Sequence, residues 1–301
     1  MTDGIFNVLK PPGMTSHDVV GALRRILQMK KIGHAGTLDP MAAGVLPVFV
    51  GHATRFLEYA VEGNKVYRAV ITFGVRTDTG DAEGNIVATS PVITLSQEKI
   101  THVLGSFIGP SQQIPPMYSA ISYNGQKLYK LARKGIEIER QPRDIYIYKL
   151  SAVDYNINEL IVDVECSKGT FIRTLSEAIA TKLGMEGTMS FLLRRQVGDF
   201  LLEEAHTLEE IATDYPHYLL PTELAIKNLP VLEVNVLQAL RIAQGVATTI
   251  AGGLEEGKLY KLLIRGSVVV GVVQAKAGKV CAKKIINIPQ KREFDWHEDN
   301  N

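Results

Sequence analysis

One short stretch of the sequence carries the residue types that catalysis needs. Between Gly33 and Pro47, glycines and other small residues surround a single carboxylate, that of Asp39. Glycines permit tight turns and close backbone approach, and Pro40 biases Asp39 toward an extended conformation. The pattern predicts one carboxylate fixed on a tight loop. A structural alternative stays open, because an Asp-Pro pair also begins helices, with the aspartate as N-cap.

Two other kinds of site are not expected at this loop. His34 could be imagined as a metal ligand together with Asp39, but no further ligand residues gather nearby in the sequence. The glycines do not form a phosphate-binding P-loop, because no Gly-Lys-Ser/Thr follows them. Cys166 and Cys281 lie far apart and match no CxxC spacing. We therefore expect neither a metal site nor a disulfide scaffold, and two solitary thiols suit a reducing cytoplasm.

A second segment, residues 112–143, combines positive charge with aromatic rings. It contains six basic residues against two acidic ones, with three interleaved tyrosines. The basic residues are Lys127, Lys130, Arg133, Lys134, Arg140 and Arg143, and the tyrosines are Tyr118, Tyr123 and Tyr129. Such a mixture could neutralise phosphates and stack bases, as RNA binding requires. A solvated helix with amphipathic tyrosines is an equally good interpretation of the composition.

Regular elements must position these residues. Alternating apolar residues predict strands over residues 66–72 and 160–166. Apolar residues three and four apart predict a helix from Ile172 to Leu183, which Gly184 ends, and an earlier helix with Ser16 as its N-cap. Helices and strands follow no regular βαβ alternation. The sequence therefore predicts the α+β class and not a doubly wound parallel sheet.

Length and composition allow one large domain or two. The chain has 301 residues, 46% of them hydrophobic, and a formal net charge of +1, so no whole-molecule field would attract a polyanion. Short β-rich runs separated by glycines follow residues 215–230 and predict a small β-barrel-like module over residues 231–290. Residues 291–301 have the composition of a frayed tail. No apolar run reaches the roughly 18 residues of a membrane span.

Six ordered motifs resemble those of the bacterial tRNA pseudouridine synthase B family, and the resemblance extends from residue 7 to about residue 289. The motifs are Leu9-Lys10-Pro11-Pro12-Gly13-Met14-Thr15-Ser16, residues 33–47, Tyr67-Arg68, Arg76-Thr77-Asp78-Thr79-Gly80-Asp81, Gln113-Ile114-Pro115-Pro116-Met117-Tyr118-Ser119-Ala120 and Cys166-Ser167-Lys168-Gly169-Thr170-Phe171-Ile172-Arg173-Thr174. Six motifs in the same order make chance agreement a poor explanation.

The resemblance implies a fold and a reaction. Residues 1–230 would form a pseudouridine synthase fold, a mostly antiparallel central sheet flanked by helices, and residues 231–290 a PUA-like RNA-binding barrel. Residues 112–143 would be the mobile thumb that closes on the T arm of tRNA through Lys127, Lys130, Arg133 and Lys134. The reaction would convert the T-loop uridine at position 55 into pseudouridine. No cofactor is expected, because nothing is oxidised or transferred to an external acceptor.

The same resemblance assigns the central residues of the site. Asp39, in Gly-Thr-Leu-Asp-Pro, matches the catalytic aspartate, and Arg173 matches its partner arginine. Burial would raise the pKa of Asp39, and a neighbouring guanidinium would lower that pKa again. Tyr67 matches the tyrosine whose ring packs on the target uracil. Phe171 stands where some members have tyrosine, so only packing against the base remains for it.

The remaining assignments concern base flipping and support. The target nucleotide must leave the T-loop stack, and His34 is expected to fill or stack against the space that it vacates. Leu193 is interpreted as a wall of the pocket, with a core position as the alternative. Lys10 is expected to pack against the catalytic loop in a structural role.

Two other functions stay open at this point. The first is an RNA-binding or RNA-folding module that acts on tRNA without chemistry. The second is a glycosidase that hydrolyses the nucleoside bond, which needs a second acid such as Asp78 or Asp81, although both are typical of turns. In each case we expect a cytoplasmic monomer that binds tRNA, with no membrane and no obligatory protein partner.

Overall fold

The computed structural model describes residues 2–61, 63–250, 252–264 and 268–286. Its strands are β1 (Gly4–Lys10), β2 (Ile32–His34), β3 (Ala43–Val50), β4 (Lys65–Phe73), β5 (Val75–Thr77), β6 (Ile86–Thr89), β7 (Gly109–Gln113), β8 (Ser122–Tyr123), β9 (Gln126–Lys127), β10 (Arg143–Tyr155), β11 (Glu159–Cys166), β12 (Gly187–Val197), β13 (Phe200–Leu201), β14 (Val231–Val234), β15 (Leu259–Ile264), β16 (Val268–Lys276) and β17 (Lys279–Ile285). Its α-helices are α1 (Ser16–Leu27), α2 (Leu57–Val61), α3 (Gln97–Gly105), α4 (Leu128–Ala132), α5 (Ile172–Leu183), α6 (Leu208–Thr213), α7 (Tyr215–Tyr218) and α8 (Val236–Ala243). Three short 3-10 helices cover Gly51–Phe56, Leu202–Glu204 and Thr222–Ile226.

A nine-stranded sheet organises the first part of the chain. Its order is β1-β3-β12-β4-β11-β10-β7, with β2 paired to β3 and β13 paired to β12. All these neighbours are antiparallel except β3 and β12, which run parallel where Arg194 meets Gly44. A Cβ on Gly44 would lie 2.2 Å from the Arg194 carbonyl oxygen, so only glycine allows this approach. The α+β class with a mostly antiparallel sheet is confirmed.

Helices α3 and α5 cover one face of this sheet. Alternate residues of β4 and β11, such as Ile71 and Val162, enter a core with Ile100 from α3 and Leu175 and Ile179 from α5. Helix α5 begins after Phe171 and ends at Gly184, whose φ of 93° is the left-handed conformation that glycine favours. Burying this apolar stripe against the sheet is what holds the start of α5 beside the pocket described below.

Helix α1 starts one residue earlier than the sequence predicts. Thr15 is its N-cap and forms a capping box with Asp18, so the expectation that Ser16 caps the helix is wrong. Ser16 is the first helical residue and is buried. Its hydroxyl accepts from the Leu38 amide at 2.8 Å and donates to the Leu38 carbonyl at 3.0 Å. The helix thereby holds the residue that precedes Asp39.

The insertion of residues 114–142 lies between β7 and β10. It contains the β8–β9 hairpin and the short helix α4. Leu128, the first residue of α4, is buried, whereas most of the segment is exposed. The insertion therefore presents most of its polar side chains to solvent.

The C-terminal part forms a separate four-stranded sheet. Its order is β14-β15-β16-β17, and α8 packs with it around Ile242 and Leu262. Over the residues described, this sheet is open, so the expected closed barrel is not confirmed. Val272 and Leu259 pack against Phe56 and Ala225 of the first part. The division near residue 230 stays a prediction, and the predicted tail at residues 291–301 lies outside the described residues.

No helix in the described part of the chain has both the length and the apolar character needed to cross a membrane.

Candidate active site

Asp39 lies on the loop between β2 and β3, at the floor of an open pocket. Residues 39–42 form a turn closed by a hydrogen bond of 3.1 Å from the Ala42 amide to the Asp39 carbonyl, so Asp39 is not a helix N-cap. Leu38 is buried in the core beneath the loop. With Leu38 held by the core and by Ser16, the Asp39 side chain points into a cavity of about 340 Å³.

Arg173 binds Asp39 from the first turn of α5. Its Nε lies 3.0 Å from Asp39 Oδ2, and its Nη1 lies 3.4 Å from Asp81 Oδ2. Nη1 also donates to the Thr79 carbonyl at 2.8 Å, and Nη2 donates to the Tyr118 carbonyl at 2.6 Å. The arginine is buried, and every nitrogen of its guanidinium has a partner. Because all three nitrogens of the planar guanidinium have partners, the direction of the hydrogen bond from Arg173 to Asp39 is fixed.

The pKa of Asp39 is raised above its usual value. Burial is the largest cause, the Arg173 guanidinium opposes it, and the Asp81 carboxylate adds to it. The Asp39 side chain is nevertheless 34% exposed, because it faces the open pocket while protein surrounds its other sides. The expected counter-effect of Arg173 is therefore present, but it is smaller than the effect of burial.

Lys10 supports the loop from below. It is fully buried, and its Nζ donates to the carbonyls of Pro11, Pro40 and Ala42 at 2.9, 3.2 and 2.5 Å. Burial lowers its pKa to about 8, and the Asp39 carboxylate opposes this shift. These contacts have the structural role against the catalytic loop that the sequence led us to expect.

Arg194 and Tyr67 form the deep wall of the pocket. They lie opposite each other on β12 and β4. Arg194 is fully buried and donates to the carbonyls of Val45, Gly36 and Thr37. Burial raises the pKa of Tyr67, and the neighbouring Arg194 guanidinium opposes this shift. Arg194 thus fixes the backbone just before Asp39.

Phe171 forms the adjoining wall. Its amide donates to Gln113 Oε1 at 2.9 Å, and Gln113 Nε2 donates back to its carbonyl at 3.3 Å. The insertion supplies the facing wall through Ser119, Ala120 and Ile121. The pocket therefore lies between the sheet, the start of α5 and the insertion.

The structure brings together some of the predicted residues and separates others. Asp39, Tyr67, Phe171 and Arg173 line one pocket. Their individual roles stay predictions. His34 is not among the lining residues, and its Nδ1 is buried without a partner in the described part of the chain. Burial lowers the pKa of His34, which favours the neutral ring.

Leu193 is not among the residues that line the pocket, and its role stays a prediction. Leu192 and Arg194 line the pocket, whereas Leu193 lies between them on β12 and faces the other side of the sheet. Successive side chains of a strand point to opposite faces, so the neighbour of a pocket residue on the same strand faces the other side of the sheet. Leu192 takes the wall position.

The four cations predicted to bind RNA lie on the insertion. Lys127, Lys130, Arg133 and Lys134 are all exposed. The Arg133 guanidinium lies 5.7 Å from the centre of the Tyr129 ring. Within the range of residues described, they project from the segment that also supplies one wall of the pocket.

The sequence did not point to two residues of the site. Arg194 and Lys65 both line the pocket, and both are buried. Asp81 has the expected turn role, since its Oδ1 accepts from the Thr79 hydroxyl and the Glu83 amide, and it also shares Arg173 with Asp39. Asp78 also has a turn role, since it accepts hydrogen bonds from the Asn85 amide and side chain. The signal for Asp81 was its place in a motif of the family, and the signal for Arg194 was a charged residue inside an apolar strand.

A metal is not indicated by the arrangement. In the portion of the chain that the structure covers, no three His, Cys, Asp or Glu side chains gather closely enough to hold one.

The sequence is similar to a family model and to proteins of known name. The family model described as TruB family pseudouridylate synthase (N terminal domain) matches residues 24–172. A tRNA pseudouridine synthase B of Caldanaerobacter subterraneus subsp. tengcongensis is 45% identical over 284 residues, which are 94% of this chain and 99% of that protein. A tRNA pseudouridine synthase B of Symbiobacterium thermophilum is 47% identical over 251 residues, 82% of this chain and 84% of that protein.

Solved structures share the fold. A chain from "Crystal Structure of a Cbf5-Nop10-Gar1 Complex" has a TM-score of 0.72 at 26% identity, covering 91% of this chain and 78% of that one. A chain from "Structure of H/ACA RNP bound to a substrate RNA containing 2'-deoxyuridine" has a TM-score of 0.73 at 23% identity, covering 95% of this chain and 86% of that one.

The fold shared with the solved structures and the match to the family model place the chain in the class of the pseudouridine synthases, which are isomerases. Within that class, the extent and identity of the match to its relatives decide the family. The chain belongs to the tRNA pseudouridine synthase B family.

Proposed function

We propose that this protein converts a uridine of tRNA into pseudouridine, and that its target is the T-loop uridine at position 55. The observation that carries the proposal is the Asp39 carboxylate, held 3.0 Å from a buried Arg173 at the floor of a pocket. The names of the relatives support the tRNA substrate. The T loop and position 55 follow from the resemblance of the six motifs to the family.

The reaction places few demands on the protein. The N-glycosidic bond between ribose C1′ and uracil N1 breaks, and the same carbon bonds to C5 of the uracil. C5 loses its proton and N1 takes one up, so that the product is an isomer of the substrate. Asp39 either adds to the base, adds to C1′ or removes a ribose proton to form a glycal. Each route needs an ionised carboxylate and little competing water. No oxidant, external acceptor or metal enters this balance.

The pocket can perform this chemistry on a nucleotide that has left its stack. Turning a base out of the RNA costs a few kcal/mol, which contacts in the pocket must offset. The rings of Tyr67 and Phe171 offer apolar faces to the uracil, and Leu192 adds to the same surface. We assign to His34 the space that the nucleotide vacates. Holding the detached uracil beside C1′ replaces a search by diffusion with a bound geometry.

The insertion supports RNA binding next to the pocket. Its exposed cations can neutralise phosphates, and their salt-sensitive contribution does not depend on the base sequence. We propose that residues 112–143 grip the T arm and that residues 231–290 provide a second RNA contact. We further propose a cytoplasmic monomer that needs no partner protein.

The test is release of tritium from uridine labelled at C5 in a T-arm stem-loop, without added metal or cofactor. The native protein should release the label and place pseudouridine at one position. Asp39→Ala should reduce release by at least about 10³-fold, because removal of the reacting carboxylate leaves only binding and positioning. It should bind the RNA normally. Asp163→Ala, at another arginine-paired aspartate, is the control and should stay active.

A tRNA-folding activity is the second candidate, and the exposed cations beside Tyr129 favour it. It predicts that Asp39→Ala still promotes tRNA folding. Absence of tritium release by the native protein would remove the isomerase proposal and leave this one, whereas full activity of Asp39→Ala would remove the catalytic role of Asp39. Free uracil among the products would instead indicate hydrolysis.

A further inference from the structure

A serine of the insertion lines the pocket and carries a buried hydroxyl group that has no partner among the described residues. Ser119 is 5% exposed and lies in the wall that faces Asp39. Its Oγ has no hydrogen-bond partner among the described residues. Its backbone, in contrast, is engaged, since its amide donates to the Met117 carbonyl at 2.9 Å and its carbonyl accepts from the Tyr129 amide at 3.1 Å.

The neighbouring contacts fix Ser119 relative to the catalytic pair. The carbonyl of Tyr118, one residue earlier, accepts from Arg173 Nη2 at 2.6 Å. The same arginine contacts Asp39 through Nε. At the root of the insertion, Gln113 exchanges two hydrogen bonds with the backbone of Phe171. The wall that carries Ser119 is thus tied to the start of α5 at two points.

The two buried arginines of the pocket wall are already paired. Arg173 and Arg194 direct their nitrogens to carbonyls and carboxylates of the protein. Other buried side-chain atoms without a partner, within the described ranges, belong to Asn7, His34, Arg140, Ser176 and Gln274, none of which lines the pocket. Among the described residues, Ser119 is therefore the lining residue that has a buried side-chain atom without a partner.

A buried hydroxyl without a partner destabilises a protein, because it has lost its bonds to water. Such a group is expected where a ligand supplies the missing bond. A uridine presents carbonyl oxygens, an imino N–H and ribose hydroxyls, and a serine hydroxyl can donate or accept.

We infer that Ser119 is a substrate-binding residue, whose Oγ hydrogen-bonds the flipped uridine when RNA fills the pocket. The inference rests on the proposed function, because it requires a nucleotide in this pocket. It gives the insertion a second task. Besides holding the T arm through its exposed cations, the segment completes the nucleotide pocket with a polar contact opposite the apolar and aromatic walls.

The test uses opposite signs in two measurements on Ser119→Ala. In urea unfolding without RNA, the variant should be as stable as the native protein or more stable, because it removes an unpaired buried group. In single turnover at T-arm RNA concentrations well below saturation, its rate should fall about 3- to 10-fold, the value of one neutral hydrogen bond. Ser151→Ala, on an exposed serine of β10 outside the insertion, should change neither quantity.

Three results would overturn the inference. A less stable Ser119→Ala would mean that the hydroxyl is bonded within the protein. An unchanged single-turnover rate would mean that it does not contact the reacting nucleotide. Ser119→Cys keeps the approximate size but is a weaker hydrogen-bonding group, so a Cys variant with native rate would show that volume alone matters.

A further measurement separates this inference from the proposed function. Asp39→Asn should bind the stem-loop without reacting, and adding Ser119→Ala should weaken that binding at least about 3-fold. This arm does not depend on turnover. If the native protein forms no pseudouridine, the proposed function fails while binding and stability still test Ser119. If it does and the Ser119→Ala variants match their parents, only the inference fails.

Discussion

Two aspartates of this protein each meet an arginine, on opposite sides of the central sheet. Asp39 lies on the side of α3 and α5, next to Arg173. Asp163 lies on β11 with its side chain on the other side, next to Arg68 of β4. The residue types are the same, yet the pKa of Asp39 is raised and the pKa of Asp163 is lowered.

The difference follows from how many cations each carboxylate has. Asp163 receives two bonds from Arg68, at 2.8 and 2.7 Å, and a third at 3.3 Å from Arg195. Hydrogen bonding to Arg68 is the largest cause of its lowered pKa. Asp39 receives one contact from Arg173, which it shares with Asp81, and burial outweighs that contact.

An arginine next to an aspartate therefore does not by itself decide whether the pKa of the aspartate is raised or lowered. Two cations around one partly exposed carboxylate stabilise its charge and make a structural pair. One cation shared by two carboxylates in a pocket leaves the charge of Asp39 less stabilised, as is typical of groups that react. Four predictions test this contrast.

The largest effect should come from Arg173→Lys. A lysine cannot contact Asp39, Asp81 and the two carbonyls at once, so the orientation of Asp39 would be lost. We expect the single-turnover rate to fall at least about 100-fold, because small misplacements of reacting groups are costly. Arg68→Lys, on the other side of the sheet, should stay within about 3-fold of native. Equal losses in the tritium assay would contradict the contrast.

The second largest effect should come from Lys10→Met, which preserves the apolar stem of the side chain and removes the ammonium group. The carbonyls of Pro40 and Ala42 would lose a buried donor, so the free energy of unfolding should fall by about 2 kcal/mol. Urea unfolding measures it. Lys149→Met is the control on the other side, because Lys149 is exposed and meets Glu165 at 3.3 Å. Lys149→Met should change the free energy of unfolding by less than about 0.5 kcal/mol, and a larger loss would contradict the expected difference between the two lysines.

The two aspartates should affect stability with opposite signs. A raised folded-state pKa means that ionised Asp39 destabilises the fold, so Asp39→Asn should increase the free energy of unfolding at pH 7. This gain should vanish as the pH falls through the raised pKa toward the ordinary value near 4. The difference in free energy of unfolding between Asp39→Asn and the native protein is measured by urea unfolding at several pH values. A loss of stability at pH 7 would show that Arg173 outweighs burial.

Asp163→Asn provides the matched comparison. Its lowered pKa means that the carboxylate stabilises the fold above pH 4 or so, and that this stabilisation is lost as the pH falls through the folded-state pKa. The substitution should therefore destabilise the protein at pH 7, by up to about 1 kcal/mol because the pair is partly exposed. The same titration shows whether the two signs differ.

The smallest effect should come from single cations of the insertion. Lys134→Ala should weaken binding of the T-arm stem-loop a few-fold and reduce the slope of log affinity against log salt by about one unit. Lys149→Ala, on the other side of the sheet, should leave both quantities unchanged. Equal slopes for the two variants would mean that RNA does not approach from the side of the pocket.

Much of the fold could be predicted because its elements are locally encoded. The alternation in β4 and β11 and the apolar spacing of α5 agree with the strands and the helix in the structure. The positions of Asp39 and Arg173 came from motifs. The closed C-terminal barrel was not confirmed, since strands predict a sheet but not how its edges close.

Other features depended on single residues that patterns do not resolve. Thr15 and Ser16 can both cap a helix, and the backbone decides between them. Leu192 and Leu193 have the same chemistry, and only the register of β12 against β4 shows which one faces the pocket. A bulge near Gln196 and another near Phe191 shift that register, so counting along the strand fails.

The sequence by itself determined the α+β class, the catalytic loop around Asp39, its pairing with Arg173 and the basic character of residues 112–143. These depend on local periodicity, on turn-forming residues and on motifs. Only the tertiary structure decided that Arg173 serves Asp81 and Tyr118 as well, that Arg194 supports the loop, and that Ser119 faces the pocket without a partner. Burial and the sharing of one cation between two carboxylates arise when distant segments pack together, and they set the pKa of Asp39.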